Sequence, residues 1–71
     1  MQRMWYDPTT DRWSVDLQGR RYELHCGETL ELYIGGEPVL CSVEMDRQQW
    51  YFVIKDVRFY LRTSDEYVVS I

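Results

Sequence analysis

Apolar and polar residues alternate along most of this chain with a period of two. Leu30, Leu32 and Ile34 alternate with Thr29, Glu31 and Tyr33. Val39, Cys41, Val43 and Met45 alternate with Leu40, Ser42 and Glu44. Trp50, Phe52 and Ile54 then alternate with Tyr51 and Val53, and Val57, Phe59 and Leu61 with Arg58, Tyr60 and Arg62. Successive side chains of an extended segment point to opposite faces, so each run reads as a strand with one buried side. The N-terminal third behaves similarly. Met4-Trp5-Tyr6 is a short strand, Trp13, Val15 and Leu17 alternate with Ser14 and Asp16, and Tyr22 to His25 starts another. Tyr67 to Ser70 is a last short strand. No window carries a 3.6-residue period, and one helical turn near His25 to Thr29 is the only helical candidate.

The breaks between these runs have turn chemistry. Gly35-Gly36 is a hairpin signal, because both positions tolerate positive φ. Gln18-Gly19 and Lys55-Asp56 are tight turns, with Arg20-Arg21 assigned to the first of them. Asp46 to Gln49 and Thr63 to Glu66 are polar turns, and Asp7-Pro8-Thr9-Thr10-Asp11 places Asp before Pro with small polar residues after it. The pattern predicts one all-β domain over residues 1–71, with about six or seven short antiparallel strands in a meander. A short meander buries its inner face by curling. The expected architecture is a small SH3-like barrel, ahead of an OB-like barrel and of a strongly bent sheet with one open face.

Composition supports a folded chain. Of 71 residues, 45% are hydrophobic and 15% aromatic, well above a disordered segment. Strand phase divides the rings. Trp13, Trp50, Phe52 and Phe59 fall on the inner side, whereas Tyr33, Tyr51 and Tyr60 fall on the outer side. So small a core leaves room for a groove or a face rather than an enclosed pocket. No apolar run approaches the ~18 residues of a membrane span, and no basic segment precedes an apolar one as in a signal peptide. Two cysteines without a secretory signal read as free thiols in a reducing cytoplasm, with no membrane association.

Candidate chemistry is sparse. His25-Cys26 suggests a thiolate activated by imidazole, but neighbours on an extended chain face apart and there is no second histidine. Cys26 and Cys41 lack the close spacing of zinc ligand pairs, so no metal or other cofactor is expected. The carboxylate pairs Asp7/Asp11, Glu28/Glu31 and Asp65/Glu66 read as solvated surface, and no glycine-rich phosphate loop is present. An enzyme is not expected. Arg58, Tyr60 and Arg62 share one strand face, which suits stacking on single-stranded nucleic acid. The net charge of −4 opposes that reading, and the acids are too interspersed with basic residues for a nucleic-acid mimic. Protein binding fits best, through a face carrying Tyr33, Tyr51, Arg58, Tyr60 and Arg62. Pairing of two copies through an exposed terminal strand is the expected route to a homodimer, with a monomer as the alternative.

Tyr6-Asp7-Pro8, Leu24-His25-Cys26-Gly27-Glu28, Leu30-Glu31, Gly35-Gly36, Glu44-Met45-Asp46 and Trp50-Tyr51 carry a resemblance over residues 6–53. The chain resembles small uncharacterised cytoplasmic proteins of Gram-positive bacteria, many encoded on phages and conjugative elements. That family has no assigned activity, so the resemblance assigns no site residue. It implies a bacterial or phage setting, and by genomic analogy an accessory protein that docks on a host protein. Inhibition of a host defence system, in the manner of anti-CRISPR proteins, is the specific form of that expectation.

Overall fold

A computed structural model describes residues 1–71. Eight strands form, in the order β1 (Gln2–Asp7), β2 (Arg12–Leu17), β3 (Arg20–Glu23), β4 (Thr29–Ile34), β5 (Glu37–Asp46), β6 (Gln49–Ile54), β7 (Val57–Tyr60) and β8 (Tyr67–Ser70). The alternating runs become strands because each can bury one side and solvate the other. Four two-residue turns reverse the chain with both residues at positive φ: Gln18-Gly19, Gly35-Gly36, Arg47-Gln48 and Lys55-Asp56. This mirror-image geometry matches the right-handed twist of the flanking strands. The third such turn contains no Gly, Asn or Asp, and it lies within the segment read above as one polar turn.

Two antiparallel meanders, β1-β2-β3 and β4-β5-β6-β7, are joined by the last strand. The sheet order is β3-β2-β1-β8-β4-β5-β6-β7. Met4 lies opposite Tyr67 on one side of β8, and Leu32 lies opposite Val69 on the other. The all-β class agrees with the sequence pattern. The closed barrel does not form, because β3 and β7 stay as unpaired edges of one open sheet. The expected six or seven strands become eight, because the short β3 and β8 segments both pair, and the simple meander is also corrected. A segment that looks terminal in sequence lies inside the sheet, so the edges open to pairing are β3 and β7. The segment near His25 forms a turn, not a helix.

The open sheet nevertheless bends sharply. β2 and β6 are five positions apart in the sheet, which on a flat sheet is about 24 Å. Yet Trp13 of β2 and Phe52 of β6 both lie against the Tyr67 ring of β8, each with centroids 5.6 Å apart. The concave side therefore closes on itself. Met4, Trp13, Val15, Leu24, Leu30, Leu32, Cys41, Val43, Trp50, Phe52 and Val69 make one buried cluster there.

Phe59 departs from its expected place. It lies opposite Phe52 and has the inner phase, but it is 51% exposed. The reason is position, not phase. β7 is the outermost strand, and no element covers its concave side.

The Leu24 to Glu28 segment is pinned at both ends. The Leu24 N–H donates to the Trp13 carbonyl at 2.8 Å, and the Gly27 N–H to the Val43 carbonyl at 2.7 Å. Gly27 has φ of 88°, which a residue with a Cβ rarely adopts. The Glu28 carboxylate accepts from the His25 N–H at 2.6 Å and from the Tyr22 hydroxyl. The Leu-His-Cys-Gly-Glu motif thus builds a tight connection between the two meanders.

Candidate functional site

The β6–β7 hairpin brings three of the five expected site residues together on the convex face. Tyr51 lies opposite Tyr60, and Arg58 lies opposite Val53. The two tyrosine rings are 5.5 Å apart and tilted by 55°. The Arg58 guanidinium sits over the Tyr51 ring at 4.7 Å, a cation–π contact. Its Nη1 also lies 3.4 Å from Asp46 Oδ2 at the end of β5. The Tyr60 phenol first, then Tyr51 and Asp46, raise the Arg58 pKa above its ordinary value, so the guanidinium stays charged.

Exposure within this cluster is uneven. Tyr51 is buried despite its outer phase, because Arg58 and Tyr60 reach across it. Tyr60 is 54% exposed and is the ring that presents a free face.

The other two expected residues are placed elsewhere. Tyr33 lies opposite Pro38, six residues along β5 from the Glu44 that faces Tyr51. That offset is about 20 Å along the strand. The Tyr33 hydroxyl lies 3.2 Å from Ser70 Oγ, so it ties β4 to β8. Arg62 falls beyond the end of β7, where its backbone N–H donates to the Tyr67 hydroxyl at 3.0 Å and its side chain approaches Asp65.

A second cluster at the opposite edge escaped the sequence pattern. Arg21 lies in β3, not in the preceding turn. Its guanidinium sits 5.0 Å over the Trp5 ring, donates to Asp7 at 2.6 Å and, through Nε, to the buried Ser14 Oγ at 3.2 Å. The Asp7 carboxyl lies below its ordinary pKa, because the Thr9 N–H and then Arg21 donate to its charged form. Counting back from a two-residue Gln18-Gly19 turn puts Arg21 opposite Asp16, on the same face as Ser14, and the β1–β2 register adds Trp5 opposite Ser14.

Between these edges lies an open cleft of about 340 Å³, lined by Tyr6, Asp11, Gln49, Trp50, Tyr60 and Thr63. The Tyr6 hydroxyl donates to Asp11 at 2.6 Å, and that bond raises the Tyr6 pKa. The thiols do not meet: Cys26 is exposed in the Leu24 to Glu28 connection, and Cys41 is buried in β5. Burial pushes the Cys41 thiol up to about 11. No three His, Cys, Asp or Glu side chains gather as a metal site.

No curated protein and no solved structure matches this chain. One protein-family model does, and its match runs through β7 and β8, past the residues that carried the sequence resemblance. It covers residues 2–71, and the chain belongs to that family, a domain of unknown function designated DUF5348.

Proposed function

We propose that this domain is a non-enzymatic binding module that contacts a partner protein at the β7 end of its sheet. One observation carries the reading. All four residues of β7 are exposed, and three of them are large apolar or aromatic side chains. Beside them, Arg58 is held in place by Tyr51 and Asp46, which lowers the entropy lost when a partner docks. Exposed aromatic and arginine side chains are the groups enriched at interface hot spots. The contact surface is centred on Tyr60 and Arg58, with Tyr51 beneath as support. The narrower expectation, a mobile-element protein that inhibits a host defence system, draws its support from the resemblance alone.

Single-stranded nucleic acid is the weaker reading, because Arg58 and Arg62 already face Asp46 and Asp65. The test compares partner capture by the native chain with capture by Arg58→Ala/Tyr60→Ser and by a distant Glu31→Ala control. Loss of the same captured protein in the double variant alone supports the reading. Equal capture by all three removes it. Salt-sensitive binding of a fluorescent oligonucleotide, lost in the double variant, would favour nucleic acid instead.

A further inference from the structure

The hydrogen-bonding pattern of the β6–β7 hairpin decides what its outer edge offers. The Leu61 N–H donates to the Trp50 carbonyl at 2.8 Å. Bonding residues alternate along an antiparallel strand, so Val57, Phe59 and Leu61 bond inward to β6. The N–H and C=O groups of Arg58 and Tyr60 therefore point to the open edge.

The two edges of the sheet are not equally protected. Isolated edges are usually blunted by charge or proline. β3 follows that rule, with three charged residues among Arg20-Arg21-Tyr22-Glu23 and Arg21 already bonded to Asp7 and Ser14. β7 carries one charge among Val57-Arg58-Phe59-Tyr60, and Val57 and Phe59 are 52% and 51% exposed on the concave side.

We propose that two copies of this chain pair antiparallel through β7, with Phe59 of each copy opposite Phe59 of the other on a twofold axis. Charge selects this register. Paired residues must both have outward-facing groups, so Arg58 and Tyr60 are the ones that bond. If Arg58 faced its own copy, two like charges would be opposed. If Tyr60 faced its own copy, Arg58 would meet Arg62 of the second copy. Only the register centred on Phe59 sets each Arg58 against Tyr60 of the other copy. It repeats between chains the arginine–tyrosine contact already present within one. The Phe59 rings then meet as a non-hydrogen-bonded pair, where side chains approach most closely. The two eight-stranded sheets become continuous, and the two Tyr60–Arg58 surfaces lie side by side.

This inference does not rest on partner binding, and its test needs no partner. Sedimentation of the full chain should show a concentration-dependent dimer. Tyr60→Pro removes an outward N–H without breaking the β6 ladder, and Phe59→Lys opposes two charges. Both should be monomeric while keeping the β-sheet circular dichroism of the native chain. Cross-linking reads the register, in a Cys26→Ser background. The Cα atoms of a non-hydrogen-bonded pair lie about 4.5 Å apart, within disulfide reach, so Phe59→Cys should oxidise readily to a covalent dimer. The two copies of residue 57 would lie about 13 Å apart, so Val57→Cys should not. A monomer at all concentrations up to about 1 mM overturns the proposal. So does cross-linking of Val57→Cys as fast as Phe59→Cys.

Discussion

Arg21 and Arg58 occupy matching places at the two ends of the sheet. Each lies on an edge strand, covers an aromatic ring of the convex face and reaches a carboxylate. The Arg21 cluster has a consequence for acid stability. The folded state holds the Asp7 carboxyl below its ordinary value of about 3.9, so folding favours the charged form. That contribution is fully present above the unfolded value and is lost as pH falls through the folded one. Between about pH 5 and about pH 2, the native chain should therefore lose more thermal stability than Asp7→Asn. Equal slopes for the two proteins would show that the Arg21–Asp7 contact does not favour folding. Alternation does not reveal this cluster, because Arg20-Arg21 adjoins the Gln18-Gly19 turn and reads as part of it, whereas β3 begins at Arg20, two residues before Tyr22.

At the scale of the strands, phase was legible and cover was not. Trp13, Trp50 and Phe52 are buried as their period-two positions require. Phe59 has the same phase and is half exposed, and Tyr51 has the opposite phase and is buried. Both differences depend on which strands are neighbours, which alternation along one strand does not encode. Phe52→Ala should cost about 3–5 kcal/mol in urea unfolding, whereas Phe59→Ala should cost less than about 1 kcal/mol in the monomer. Similar costs would place Phe59 in the core. The turns give an opposite kind of prediction. Lys55 and Asp56 both hold positive φ without glycine, at 47° and 66°. Lys55→Asn with Asp56→Gly supplies the preferred pair for this turn and should raise stability by about 1 kcal/mol. For a domain of this size that is a rise of roughly 4–8 °C in melting temperature. A fall in melting temperature would mean that the Lys55 or Asp56 side chain stabilises the turn by more than its backbone strain costs.

For the whole molecule, the all-β class was legible because one period runs nearly throughout. The sheet order was not, since pairing between distant segments leaves no trace in alternation. β8 is four residues long, yet its ladders with β1 and β4 join the two meanders. Val69 is fully buried between them. Val69→Asp should therefore abolish cooperative unfolding of the entire domain, because an unpaired carboxylate would replace a core side chain at the join. A cooperative transition, with retained protection of the β1–β2 amides, would show that the N-terminal meander is stable alone.

The central place of β8 also sets a timetable. Ribosomes add roughly 5–20 residues per second, so several seconds separate the making of β1 from that of β8. During that interval the nascent chain lacks the strand that joins its two meanders, and the sides of β1 and β4 that will receive β8 have nothing to bond. Each is a row of unpaired backbone groups of the kind that recruits other chains. This small domain cannot finish folding while its last strand is still inside the ribosome. Its yield in a cell is expected to depend on how well those two waiting edges are shielded until Tyr67 to Ser70 emerge.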